Sequence, residues 1–422
     1  MNTVKSSLRA DDLEQPVGGA SISPLVVIFL AIVLDAVGIG LIFPILPSLL
    51  RDVTHIDNVA PYIGFMVALY AVMQFVFAPV LGVLSDRLGR RPVFLISLAG
   101  AAVNYLFLAF APSLWMLLLG RAVAGLTSAN VSVATAYITD ISTEAKRARR
   151  FGLLNAMFGI GFIIGPVLGG ALGDHWLRLP FIAAAVLNAG NLLLAFFLLP
   201  ESRAPTGQKI DLAALNPLVP LRWVFSVKSL LPITFTFFIF SASGEAYGIC
   251  WALWGSDTFR WNGFWIGLSL GAFGVCQAMA QAFLPGPAVK LLGERATILL
   301  GISSACIALT VMAFATKGWM IFAIMPLFAL GGIGAPALQS LATREVEDGQ
   351  QGQFQGVLAS AVSLASIVCP LVFSSVYFLV RDQWPGAIWL SVVLVYAIAL
   401  PLVLRLRLDG ASTAAAVQSA SP

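Results

Sequence analysis

The chain has 422 residues, of which 59% are hydrophobic and only 10% charged. Soluble domains carry about 25% charged residues, so this composition excludes one and calls for a polytopic membrane protein. The net charge of +4 reads as the basic residues that orient membrane helices, not as a nucleic-acid surface.

In chain order, residues 1–23 form a polar tail, followed by a first apolar run at 24–50. That run exceeds the usual length of a signal-peptide core and has no small-x-small cleavage site after it, so it reads as a spanning helix. Further runs follow at 61–84, 92–111, 114–139, 149–173 and 180–199. A polar stretch at 201–229 then separates a second set at 230–254, 262–285, 295–315, 319–342, 352–378 and 384–404. Each run meets the roughly 20 residues that a bilayer requires. The expected domains are a six-helix bundle at 1–200, a linker at 201–229 and a second bundle at 230–422 with a tail at 409–422.

The basic residues are distributed unevenly. With both termini on one side, that side collects eighteen Lys and Arg against five on the other, and Arg121 is left inside a helix. The positive-inside rule then places the termini in the cytoplasm. Residues also repeat at an offset of 204. Gly82, Gly89 and Arg91 align with Gly286, Gly293 and Arg295, and Gly152 and Pro166 align with Gly356 and Pro370. Two homologous halves are the mark of secondary transporters.

The four cysteines, at 250, 276, 306 and 369, lie in apolar runs without ligand spacing, and there are only two histidines. No metal site and no disulfide is expected. Walker and HExxH signatures are absent from the sequence, which argues against an ATPase or an intramembrane metalloprotease.

Three motifs stand out. "GVLSDRLGRRP" (82–92) has glycines for a tight turn and a basic cluster that anchors the loop inside. Its gating candidates are Gly82, Asp86, Arg87, Gly89, Arg90 and Arg91, with Asp140 at the end of the fourth span. "GLLNAMFGIGFIIGPVLGG" (152–170) sets Gly152, Gly161, Gly165, Pro166, Gly169 and Gly170 on the fifth span, where small residues permit close helix approach. "GRAVAGLTSANVSVATAYITD" (120–140) carries Arg121. Together these resemble the major facilitator superfamily and the antiporter motif of its twelve-helix drug/proton antiporters. Stretches such as "LDAVGIGLIFPILPSLLRD" (34–52), "LNPLVPLRW" (215–223) and "GGIGAPALQSL" (331–341) look like bacterial tetracycline/proton antiporters. The resemblance implies an all-α membrane fold of twelve helices in two pseudo-symmetric bundles. It also implies a bacterial inner-membrane location, proton-driven export without a bound cofactor, and a divalent metal that travels with the substrate.

Among the acids, Asp35 and Glu245 alone sit well inside spans. Asp35 lies about eleven residues, or roughly 16 Å, into the first span, close to mid-membrane. A charge there costs roughly 2.5–3.5 kcal/mol on insertion scales, so such residues pair, face a cavity or carry protons. Asp35, Arg121 and Glu245 are the proton-coupling candidates; a structural acid, a plain ion pair and a snorkelling glutamate are the respective alternatives. The resemblance implies an aspartate on the third and ninth spans, where this chain has Asn104 and Ala305. It implies a glutamine where the chain has Glu245. Tyr70, Gln74, Asn104, Gln281 and Gln339 are candidate cavity residues, with Phe77, Trp251 and Trp254 as further aromatics that either line the cavity or pack. The chain is expected to act as a monomer on a small-molecule substrate and protons. A symporter or exporter of an unrelated metabolite, and a non-transporting membrane sensor, are the alternatives.

Overall fold

The computed structural model describes residues 23–203, 231–344 and 351–405, with backbone alone at 342–344, 351–353 and 405. Most of the expected linker and both expected tails lie outside these residues. Twelve helices long and apolar enough to cross a membrane are described. They are α1 (Pro24–Ile42), α2 (Ala60–Leu88), α3 (Arg90–Phe110), α4 (Leu114–Asp140), α5 (Glu144–His175), α6 (Leu179–Leu198), α7 (Leu231–Phe259), α8 (Gly263–Phe283), α9 (Glu294–Ala313), α10 (Gly318–Leu341), α11 (Phe354–Val380) and α12 (Ala387–Leu404).

The expected boundaries fail where proline or hydroxyl chemistry intervenes. The run 24–50 is not one helix: α1 stops at Ile42, and a separate short helix covers Leu46–Thr54. Pro44 and Pro47 have no N–H to donate to the preceding turn, and Pro47 falls in the first turn of the short helix, where that donor is not needed. α4 is broken into Leu114–Thr127 and Asn130–Asp140. At the break the Ser128 hydroxyl meets the Tyr70 hydroxyl at 2.7 Å and accepts from Gln74 Nε2 at 2.9 Å. Serine and asparagine compete readily with helix backbone bonds. α10 breaks correspondingly at a 3₁₀ turn, Gly331–Ile333. That turn lies 204 residues beyond the α4 break, so the offset read from the sequence recurs in the backbone.

Packing repeats as well. α1 lies against α5, α3 against α6 and α2 against α4; α7 lies against α11, α9 against α12 and α8 against α10. The two bundles meet through α5 with α8 and α2 with α11. Their contacts crowd one end of the molecule, opposite the basic 82–92 loop. There a methyl group on Gly170 would overlap the Gly263 carbonyl oxygen, and one on Gly267 would overlap that of Pro166. A methyl on Gly64 would lie 2.6 Å from the Pro370 carbonyl oxygen. Nothing lies within 4 Å of the corresponding position at Gly152 or Gly159, nearer the basic end. One apolar core, including Leu49, Ile63, Trp254 and Phe373, is shared by both bundles; a second, including Ile28, Phe94 and Tyr137, belongs to the first bundle alone.

Candidate functional site: a central cavity closed at one end

Bundles that touch at one end and part at the other leave a cavity of about 1240 Å³ between them. Its wall includes Gly152 and Asn155 of α5 and Gln281 and Ala282 of α8, residues toward the basic end. Its polar wall is built mainly by α1, α2, α3 and the broken α4.

Asp35 is buried at 7% exposure and lines this cavity. Its side-chain hydrogen-bond partner is Asn130, the first residue of the second piece of α4. A broken helix thus aims an amide, and the positive end of a helix dipole, at the acid. Arg121, on the first piece, lines the same wall. Its Nε and Nη2 are buried without a hydrogen-bond partner, and no carboxylate lies within 4 Å among the described residues. The plain ion pair is therefore not what this conformation contains. The site holds a fixed cation and a titratable acid in one wall, without direct neutralisation. Arg121 stays protonated and acts on its surroundings by field alone; Asp35 is the group that can exchange a proton.

Glu245 also faces the cavity, from α7, and accepts a hydrogen bond from Ser366 Oγ of α11 at 2.5 Å. It is half-buried and does not snorkel away. Tyr70, Gln74, Asn104 and Gln281 line the cavity as expected. The Asn104 Oδ1 is buried without a partner, which leaves an acceptor aimed at whatever enters. Gln339 is not part of the cavity: it is exposed, with its amide 3.5 Å from Gln355 Oε1. Phe77 lies outside the cavity too. Trp251 and Trp254 are core residues at 1% and 0% exposure, Trp251 donating to Ser269 Oγ at 2.8 Å. Tyr105, Ser128, Asn130, Tyr247, Gln277 and Ser366 are cavity residues absent from the sequence-derived set. Only the break in α4 brings Ser128 and Asn130 inward, and no residue pattern announces that break.

The 82–92 loop assembles a charge cluster. Arg90 pairs with Asp86 at 2.7 Å and Asp140 at 3.0 Å, and donates to Ser85 Oγ at 3.2 Å. Gly89 adopts φ +104°, a left-handed conformation that only glycine enters cheaply. It delivers the Arg90 and Arg91 amides to the Glu201 carboxylate at 2.7 and 3.1 Å. Arg91 reaches the Phe196 carbonyl, whereas Arg87 is exposed. Gly82 has open space around it. Glu201 and Arg203, which pairs with Asp86 at 2.9 Å, belong to this cluster although their sequence context reads as linker. On α5, Gly161, Gly165 and Gly169 meet α1, Pro166 meets Gly40 and Gly267, Gly170 meets Gly263, and Gly152 lines the cavity. The glycine–proline motif is thus a three-helix contact surface spanning both bundles.

The end opposite the basic loop is closed by polar bonds between bundles. Asp57 pairs with Arg381 at 2.7 Å, and Arg51 with Asp257 at 3.6 Å. Arg381 in turn grips Asp257 at 2.8 and 3.1 Å. The Asp174 carboxylate accepts from the Gly263 and Phe264 amides at 2.9 and 3.0 Å, capping α8 from the other bundle. The Arg381 hydrogen bond holds the Asp57 carboxyl below its ordinary range.

Twelve described spans in two bundles of the same packing order, around a central cavity open at a single end, define a secondary transporter rather than an enzyme. The comparisons agree. The family model described as the Major Facilitator Superfamily matches residues 28–264 and 234–420. The tetracycline resistance protein of class C from Escherichia coli is 48% identical over 381 residues, covering 90% of this chain and 96% of that protein. The class G protein from Vibrio anguillarum is 44% identical, covering 91% and 98%. The crystal structure of the nucleoside transporter NupG superposes with a TM-score of 0.76 at 13% identity, covering 91% of this chain and all of that one. The chain belongs to the Major Facilitator Superfamily, in the branch that holds the tetracycline resistance proteins. It is a multi-pass membrane transporter.

Proposed function

We propose that this transporter exports tetracycline-like or other amphipathic drugs in exchange for protons. The observation that carries the reading is Asp35: a carboxyl group buried in the wall of the central cavity, a wall that also holds Arg121 with no carboxylate paired to it. The relatives at up to 48% identity, each called a tetracycline resistance protein, support the drug class. With the basic loops in the cytoplasm, as the eighteen-to-five asymmetry favours, the cavity faces the cytoplasm here. Substrate enters from that side, and protonation of Asp35, with Glu245 as a second titratable site, biases the bundles between their two states. A ligand moves such an equilibrium only through different affinity for each state, so drug and proton should compete. The proton gradient is the energy source and no resident cofactor takes part; a divalent cation travels as part of the substrate. One chain encloses the entire cavity, which favours a functional monomer.

Proteoliposomes containing the full chain should accumulate tetracycline when a pH gradient is applied, and Asp35→Asn should abolish that accumulation while preserving a monodisperse fold. Equal uptake with and without the gradient would refute the antiport. Asn104 and Ala305, standing where relatives are expected to carry aspartates, favour a substrate range that differs from theirs; a panel of amphipathic drugs in an efflux-deficient host reads that range.

A further inference from the structure

A second cavity, about 320 Å³, opens off the first inside the carboxy-terminal bundle. It runs between α7, α8, α9, α10 and α12 and ends at the 3₁₀ turn that interrupts α10. Gly244, Tyr247, Phe273, Gln277 and Gln281 line both cavities and form the passage between them. The wall is aromatic. Tyr247 and Phe273 are 4.7 Å apart, and Phe273 stacks on Phe328 at 4.9 Å. Phe240 and Tyr396 close another side at 5.9 Å, edge to face.

Two hydrogen-bond donors in this wall are unused. Trp389, 1% exposed, has no partner for Nε1, and the buried Tyr247 hydroxyl has none either. Of the other polar side chains in the wall, Ser241 and Ser243 donate to the Phe237 and Ile239 carbonyls at 3.0 Å each, and Gln277 and Gln281 sit in the passage shared with the central cavity. No charged side chain lines the pocket among the described residues. Burying an unpaired donor costs about 1–3 kcal/mol, so the wall is chemically suited to an acceptor that arrives with a ligand. Ala305 is part of the same wall, at 1% exposure against Gly331, and its methyl keeps that position apolar.

We propose that this side pocket is a substrate subsite that takes an uncharged fused-ring group bearing a carbonyl-type oxygen, which accepts from Tyr247 and Trp389. A dry cavity of about 150 Å³ accommodates benzene, so twice that volume suits two fused rings. Aromatic walls contribute stacking, and the two donors select for oxygen. The assignment rests on the central cavity being the substrate's route. Gly244 sets access: nothing lies within 4 Å of where its side chain would begin, so a larger residue there fills the passage without a backbone clash.

The test uses the purified full chain in nanodiscs and fluorine NMR of 6-fluoro-1-tetralone, a two-ring ketone, beside the hydrocarbon 6-fluorotetralin. A bound ketone resonance separate from the lipid-dissolved one is expected. Gly244→Leu should eliminate it. The Tyr247→Phe/Trp389→Phe double variant should weaken the ketone about thirtyfold, the value of two ordinary hydrogen bonds, and leave the hydrocarbon unchanged. Thermal melts accompany both variants. Equal binding of ketone and hydrocarbon, unaffected by the double variant, would make the pocket a packing gap and overturn the subsite. So would a ketone signal that survives Gly244→Leu. The transport reading fails separately: no tetracycline uptake alongside an intact ketone resonance counts against the drug and for the pocket, whereas uptake without any ketone resonance overturns the pocket alone.

Discussion

Asp174 offers a direct handle on the closed end. Its carboxylate takes the first two amides of α8 at 2.9 and 3.0 Å, and it reaches them from the opposite bundle. Asn262 satisfies the next donor, Trp265 N–H, at 3.2 Å from within its own bundle. Half of the α8 cap therefore exists only while the bundles touch at this end. Loss of a helix cap to alanine costs about 0.5–2 kcal/mol. Because Asp174 is exposed, solvent competes for the bonds, and a value near 1 kcal/mol applies, equal to about a fivefold change in the closed-to-open ratio. Asp174→Asn, which keeps one acceptor oxygen, should produce a smaller shift of the same sign. Spin labels at Ile56→Cys and Gln383→Cys, exposed positions on either bundle beside the seam, report the separation by double electron–electron resonance after the four native cysteines are replaced. Asp174→Ala should enlarge the long-distance population. An unchanged distribution, or a shift toward the short distance, would refute the claim that this carboxylate holds the bundles together.

Glycine contacts predict a contrast at one side-chain size. Gly170→Ala should open the same end in the label assay, because its methyl meets the Gly263 carbonyl, whereas Gly152→Ala, in open space, should leave the distances as they are. Protons at the closed end should act only in strong acid. Asp57 has its pKa lowered by Arg381, so its contribution is complete above the ordinary carboxylate value of about 3.9 and is lost as pH falls through the depressed value. In an Asp35→Asn, Glu245→Gln background, which removes the cavity's own proton sites, the label distances should then be flat from about pH 8 to pH 5 and lengthen below about pH 4, and adding Asp57→Asn should remove that acid response. Glu245→Gln should reduce the number of protons exchanged per drug molecule, measured by paired proton and drug fluxes; an unaltered ratio would confine proton coupling to Asp35.

The spans were legible because bilayer thickness imposes a length and an apolar composition on every helix, and composition is what a sequence displays. The cavity was only partly legible. Asp35 and Glu245 could be found because a carboxyl within a span is costly and therefore conspicuous. Asn130 and Ser128 were not, because asparagine and serine occur in helices without penalty enough to attract notice. They become site residues only where α4 breaks. Gln339 illustrates the converse: a polar residue in a span, indistinguishable in sequence from Gln74 and Gln281, that the twist of α10 carries outside the cavity.

The internal repeat shows why some residues betray architecture and others do not. Gly89 and Gly293, matched at the offset of 204, adopt φ +104° and +82° at the same junction of each bundle. Arg91 and Arg295 both bond a backbone carbonyl at the end of the last helix of their bundle, Phe196 and Leu404. Backbone turns and helix-to-helix anchors are requirements of the fold, so both halves retain them. Side-chain charge at the neighbouring position is under no such constraint. Arg90 and Glu294, also 204 apart, are each 7% exposed, yet one is a cation bound by Asp86 and Asp140 and the other an anion that accepts from Ser340 at 2.9 Å. The offset further sets Asp86 opposite Lys290 and Asp140 opposite Arg344, so the sign inverts at three positions together. Arg90→Gln should strip the cation from between Asp86 and Asp140 while Arg203 remains beside Asp86, and in a thermal melt it should cost the first bundle more than Glu294→Gln costs the second, where the contact at stake is a hydrogen bond to Ser340.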